Sequence, residues 1–272
     1  MNKTAQQLSL RSFSDFWKTI KSLRGNDNIT SNVVDGEYTD QAIANRFRSI
    51  YDQLYNSVPD ENFKEVVNKI NNLVATSCNN NCCESKDCHS ISIDIVTQTI
   101  KNLNRGKNDE VYDITTDHFI NASEITISVF RNILNLLYTH GITNVSINTS
   151  IIKPIPKNKR KSLAESSNYR AISMNTIISK IIDHILIQLI GEKIETSVYQ
   201  FAYKQGFSTS LCSFLVSETI QYYRSHGSNV YMLSLDCTKA FDLVQHTKLF
   251  NIMINRSICP LIVRLLINIY IL

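Results

Sequence analysis

Apolar residues return at steps of three and four along most of this chain, which commits the backbone to amphipathic helices and leaves little sequence for sheet. Leu10, Phe13, Trp17, Ile20 and Leu23 predict a helix after Ser9. Thr39-Asp40 offers the start of a second, carrying Ile43, Phe47, Ile50, Tyr51 and Leu54, and Phe63, Val66, Val67, Ile70 and Leu73 mark a third. Ile93, Val96, Ile100 and Leu103 give a short helix ending near Gly106. Ile125, Val129, Ile133, Leu136 and Leu137 give a longer one closed by Gly141. A helix over about 176–190 carries Ile177, Ile178, Ile181, Ile182, Ile185 and Leu189 on one broad face, and another runs over about 209–224.

Two stretches depart from this period. Residues 146–155 read as extended chain, with Pro154 and Pro156 barring a central strand because proline donates no ladder hydrogen bond. Val230-Tyr231-Met232-Leu233-Ser234-Leu235 is a β-prone run that delivers Asp236 at its C-terminal end. The predicted class is α+β.

With 43% hydrophobic and 19% charged residues, the 272-residue chain is long enough for a sizeable core, and disorder is not the default. The net charge of +4 is too small to imply a polyanionic partner, but it is concentrated. Lys153, Lys157, Lys159, Arg160, Lys161 and Arg170 face one nearby acid, Glu165. The polar start, Met1-Asn2-Lys3-Thr4, lacks a secretory h-region, and an odd set of seven cysteines suits free thiols in a reducing compartment. The most apolar tract, 259–272, contains Arg264 and is shorter than the roughly 20 residues a membrane span needs. No membrane segment is expected.

Residues 77–90 form a Cys/Asn-rich linker. Its Cys78, Cys82, Cys83, Cys88 and His89 offer zinc-ligand chemistry but lack paired C-x₂-C knuckles, so free thiols in a variable linker are expected and zinc is not.

An acid at the end of a buried strand is costly unless a cation or a donor meets it. A hard divalent ion with one or two carboxylates and substrate phosphates is one answer; a cap on the following turn is the other. Around Asp236 the residues run Leu235-Asp236-Cys237-Thr238-Lys239-Ala240-Phe241-Asp242-Leu243-Val244-Gln245-His246. This block closely resembles L-D-x-x-K-A-F-D-x-V-x-H of the reverse transcriptases of non-LTR (LINE-type) retrotransposons. Asn168-Tyr169-Arg170-Ala171-Ile172-Ser173 with Lys180 downstream resembles the fingers motif N-Y-R-P-I-S, and Gln200-Phe201-Ala202-Tyr203-Lys204-Gln205-Gly206-Phe207-Ser208-Thr209 is similar to Q-F-G-F-R-x-G-x-S-T. Asn104-Arg105-Gly106-Lys107-Asn108-Asp109 is a worn G-K-x-x-G-x-D element, and Phe16-Trp17-Lys18 resembles the F-W-K that often precedes the domain.

The resemblance implies a right-hand polymerase, here a helical connector (1–76), the linker (77–90) and a partial domain of fingers and first palm elements (91–272). It implies RNA-directed DNA polymerisation by two divalent ions, Mg²⁺ or Mn²⁺, on an RNA template, a DNA primer or target, and deoxynucleoside triphosphates. Asp236 would be the catalytic carboxylate and first metal ligand. Phe241 matches the aromatic that excludes a ribose 2′-hydroxyl, unless it is a core aromatic. Asp242 would orient by hydrogen bonding. Arg170 and Lys180 match groups on the incoming triphosphate, although Lys180 also fits the cationic end of a polar helix face. Lys157, Lys159, Arg160 and Lys161 are either a template or primer backbone contact or a solvated loop. An intracellular ribonucleoprotein, cytoplasmic and nuclear and not secreted, would be its setting.

Four departures matter. Ala171 replaces Pro and is expected to free the loop around Arg170. Ala202 replaces Gly and is expected to strain a turn, and Lys204 stands where Arg is common. Two-metal chemistry in this family needs an adjacent Asp pair, and no Asp-Asp occurs in the 272 residues. The expectation is a truncated, inactive polymerase fragment with an unpaired sheet edge at 230–235, an apolar tail from Leu261 without packing partners, and poor solubility. The alternative is a catalytically dead nucleic-acid-binding remnant.

Overall fold

The computed structural model describes residues 31–56, 62–77, 90–194 and 196–271. The helix expected around Trp17 and the cysteine cluster from Cys78 to His89 lie outside them. The elements in chain order are α1 (Asp40–Tyr55), α2 (Phe63–Ser77), α3 (Ile93–Lys101), α4 (Thr116–Ile120), α5 (Glu124–His140), α6 (Val145–Asn148), β1 (Ser150–Pro156), β2 (Tyr169–Asn175), α7 (Ile177–Ile190), α8 (Thr209–Ser225), α9 (His246–Asn255) and α10 (Pro260–Ile271). Strands β1 and β2 pair in a two-stranded sheet, so both are edges and β1 tolerates its prolines. The α+β expectation stands in this form: mostly helix, with one small sheet. None of the described helices is long and apolar enough to cross a membrane.

The chain divides into two compact units, Met1–Gln53 with Ile152–Ile172, and Leu54–Ile151 with Ser173–Leu272. In the first, Thr39 Oγ1 accepts from the Ala42 amide and starts α1, as a threonine N-cap should. Phe47 and Tyr51, one turn apart, stack at 5.8 Å between ring centroids, and Phe47 meets Tyr169 edge-on at 5.1 Å. Val34 joins them to form a small buried cluster, with Tyr169 and Ala171 packed against it. Ala171 therefore lies in a strand against apolar neighbours; the freer loop expected from the missing proline is replaced by regular β-structure.

The second unit is built on one helical core. Helix α7 begins with Thr176, whose hydroxyl accepts from the Ser179 amide, and buries Ile177, Ile181, Ile182, Ile185, Leu186 and Ile190. Residue Asn135 of α5 pins the chain before α3, accepting from the Ile91 amide at 2.6 Å and donating to its carbonyl at 3.0 Å. The Tyr138 hydroxyl, fully buried, donates to Cys259 Sγ at 3.8 Å. Gly141 ends α5 in the left-handed region at φ 65°, as its position after the last apolar residue implies.

Four expectations change in this unit. Helix α5 forms, but Ile125, Val129, Ile133 and Leu136 lie on its exposed side, while Leu134 and Tyr138 are buried and Ile127, Phe130 and Leu137 pack against the core. Two apolar stripes compete on this helix, and the one holding Phe130 and Tyr138, whose aromatic rings carry large apolar surfaces, is the one that meets the core. The segment expected to be extended from residue 146 begins instead with the single turn α6. The apolar tail does have partners: Leu261, Ile262, Val263, Leu265 and Ile267 of α10 are buried, against α2, α5 and α9.

The fourth is the run 230–235, which forms no strand. Tyr231, Leu233 and Leu235 are 91%, 82% and 87% exposed, so Asp236 does not sit at the end of a buried strand. A strand is stabilised by its ladder and cross-strand pairs, and no described strand offers this run a partner.

Candidate functional site

In the first unit the connection between β1 and β2 carries the positive charge. Lys157, Lys159, Arg160 and Lys161 are all exposed, yet the backbone beneath them is closely tied. The Lys157 amide donates to the Asn168 carbonyl at 2.6 Å, continuing the sheet into the loop. Asn158 Oδ1 accepts from the Arg160 amide at 2.9 Å, an Asx turn that bends the chain back. Asn168, 6% exposed, fills the loop's interior. Its Nδ2 donates to the carbonyls of Asn158 and Ser162 at 2.9 and 3.0 Å, and its Oδ1 accepts from the Asn158 amide at 3.2 Å. The Tyr169 hydroxyl donates to the Leu163 carbonyl at 2.8 Å. Lys157 Nζ is itself engaged, donating to the Ser167 carbonyl at 2.7 Å, which leaves Lys159, Arg160 and Lys161 to carry the solvent-facing charge.

The far limb of the loop is anchored by Asp35. Its carboxylate accepts from the Ser166 amide at 2.9 Å and the Ser166 hydroxyl at 2.6 Å, and pairs with Arg46 Nε at 2.9 Å. The Ser166 hydrogen bonds first, and Arg46 after them, hold the Asp35 carboxyl below its usual range. Arg170 follows in β2. Its neighbours Tyr169 and Ala171 pack toward the small cluster, so the two-residue period turns Arg170 to the exposed opposite face.

In the second unit Lys180 is exposed on the first turn of α7. The end of that helix is satisfied by its own chain. Asp109, 3% exposed, accepts from the Tyr112 amide at 2.6 Å and the Ile177 amide at 3.4 Å, and Thr176 caps Ser179 at 3.1 Å. The acid of the worn G-K-x-x-G-x-D element thus ties its loop to the helix bearing Lys180. A carboxylate is favourable there because the helix dipole places partial positive charge at that end.

Asp236 is exposed, and the turn that follows it spans 238–243, with Lys239 in the left-handed region at φ 53° and the Leu243 amide donating to the Lys239 carbonyl at 3.1 Å. This turn presents Phe241, 74% exposed. The Phe241 ring meets Tyr203 edge-on at 5.8 Å, so the turn after Asp236 and the 200–209 loop touch through two side chains of the recognised motifs. That second loop is held by Lys204 Nζ, 4.5 Å over the Phe207 ring, and by the Phe201–Phe207 edge contact at 5.5 Å. Ala202 avoids the expected strain; Tyr203 takes the left-handed conformation, at φ 57°. Asp242 is half-buried and lies close enough to Tyr55 that burial first, and the Asp242 charge after it, push the pKa of that phenol up and disfavour its ionisation. His246 opens α9 with its ring 5.0 Å from Tyr270, a packing role.

The donor set for divalent metal is thin. Among the described residues no group of three or more His, Cys, Asp or Glu side chains comes together, whereas two ions sharing a site require several carboxylates. Asp236 and Asp242 do not amount to a two-ion cradle.

Three polar residues that hold this architecture, Asp35, Asp109 and Asn168, carry no apolar periodicity. Asn168 and Asp109 were visible as motif letters, and Asp35 only as an acid beside Gly36 in a turn-rich interval.

Residues 155–271 match the family model of reverse transcriptase (RNA-dependent DNA polymerase). The match includes the basic loop, Arg170, Lys180, both contacting motif loops and Asp236, and over those residues the chain is similar to enzymes that take a nucleic-acid template and nucleotides.

Proposed function

We propose that this chain is part of a non-LTR retrotransposon reverse transcriptase, supplying fingers and the first palm motif, and that the 272 residues by themselves bind nucleic acid without polymerising. The match over 155–271 carries the reading, and the meeting of the 200–209 loop with the turn after Asp236 supports it. Lys159, Arg160 and Lys161 contact the phosphate backbone of template or primer. Arg170 and Lys180 engage the triphosphate of an incoming nucleotide, where a guanidinium and an ammonium neutralise phosphate charge. Phe241 selects against a ribose 2′-hydroxyl, and Asp242 orients by hydrogen bonding. Asp236 is the carboxylate this chain contributes toward divalent metal. On this reading residues 1–76 are a connector, 77–90 a linker and 91–272 a partial polymerase domain, working in an intracellular, nuclear and cytoplasmic ribonucleoprotein.

The second reading is a nucleic-acid-binding remnant that does no chemistry, for which the solvent-facing Lys159, Arg160 and Lys161 would suffice. The two readings share the binding step. Titrating the chain with a labelled RNA/DNA hybrid over a range of salt concentrations tests that step: affinity falling steeply with salt supports both, and no binding removes both.

A further inference from the structure

The basic loop raises a question that its charges alone do not answer. Three consecutive cations on a freely moving segment lose side-chain and backbone freedom when they meet phosphates, and that loss offsets much of the attraction. Here the backbone is fixed before any ligand arrives, and one buried side chain does most of the fixing.

We infer that Asn168 is the positioning residue for nucleic-acid backbone binding: its side-chain amide shapes the 157–162 turn so that Lys159, Arg160 and Lys161 face one polyanionic strand together. This rests on the proposed reading of the loop as a phosphate contact. The amide spans the turn, donating to the Asn158 and Ser162 carbonyls on its two sides while accepting from the Asn158 amide. Without the amide the Ser162 carbonyl loses the donor it has here and the Asn158 carbonyl keeps only the Lys161 amide, so the turn is held by fewer bonds. The three cations lie between those two anchor points, and the Arg160 and Lys161 amides are themselves bonded back to Asn158. An alanine at 168 removes all three side-chain bonds and leaves the Lys157 amide bond to the 168 carbonyl in place. The sheet is kept while the turn is released.

The test is the salt dependence of binding to an RNA/DNA hybrid by the full 272-residue chain. Each phosphate neutralised contributes about 0.9 to the slope of log K against log salt on duplex, so Lys159/Arg160/Lys161→Ala lowers the slope by about 2 to 3 if all three are engaged. Asn168→Ala is expected to lower it by most of that amount, although no charge has been removed. Combined with the triple substitution it is expected to change nothing more, whereas general loss of structure would weaken the remaining binding too. If Asn168→Ala does not fold, Asn168→Ser, which is too short to span both carbonyls, carries the same expectation. A folded Asn168 variant that keeps the parental slope while the triple variant flattens it overturns the inference alone. A triple variant with the parental slope overturns the phosphate-contact reading and the inference with it.

Discussion

Tyr203 and Phe241, thirty-eight positions apart, meet edge-on with their ring centroids 5.8 Å apart, and both rings are largely exposed. Rings this open gain little from burial, so the contact is worth the lower end of an aromatic pair, about 0.5 kcal/mol. A double-mutant cycle on urea unfolding with Tyr203→Ala and Phe241→Ala is expected to return a coupling of that size. Zero coupling would mean that the two motif loops are not joined in solution.

Asp109 carries more. It is buried and accepts from the amides of Tyr112 and Ile177, so Asp109→Ala takes that acceptor from one donor in its own loop and from one at the start of α7. The expected loss is about 2 to 3 kcal/mol by chemical denaturation, with Asp109→Asn recovering part because one acceptor oxygen remains. Equal stability of all three proteins would contradict the capping role.

The acid response of the basic loop follows from Asp35. Its carboxyl is held below the unfolded value of 3.8 by Ser166 and then Arg46. The carboxylate therefore stabilises the folded loop at every pH above 3.8, and this contribution is lost as pH falls from there through the lower folded value. The protection factor of the Ser166 amide, its intrinsic exchange rate divided by the observed one at each pH, should fall as the Asp35 carboxyl protonates in the parent protein and show no such inflection in Asp35→Asn.

Replacing Gly141 is unfavourable on two grounds. Its φ of 65° disfavours any side chain with a Cβ, and a Cβ there would stand 2.7 Å from Arg264 Nε. Arg264 also donates to the Thr139 carbonyl, so it is not free to withdraw. Gly141→Ala is expected to lower stability by about 1 to 2 kcal/mol in thermal unfolding, more than the usual gain from replacing a flexible glycine would offset.

Much of the helical framework was legible because its signals are local. Thr39-Asp40, Thr176 and Gly141 mark ends by capping chemistry, and the isoleucines of α7 repeat on a face that the core then covers. What escaped depends on partners distant in the chain. Helix α5 carries two apolar stripes, and the one that turns inward, with Leu134 and Tyr138, is the one that meets core residues distant in the chain, Cys259 among them. The run from Val230 to Leu235 has strand propensity but no ladder to join, so propensity alone misled. The candidate site divides likewise. Arg170, Lys180, Phe241 and Asp236 were readable as motif letters, whereas the reason the basic loop has a shape lies in Asn168 and Asp35, two polar side chains that no hydrophobic period reveals.

The measurement closest to the central claim is extension of a labelled DNA primer on an RNA template by the 272-residue chain, with Mg²⁺ or Mn²⁺ and deoxynucleoside triphosphates, while anisotropy of the label follows binding. The account predicts salt-sensitive binding of the hybrid and no lengthened primer. Primer extension that disappears in Asp236→Ala would contradict it, because the chain would then assemble a metal site its carboxylates do not provide.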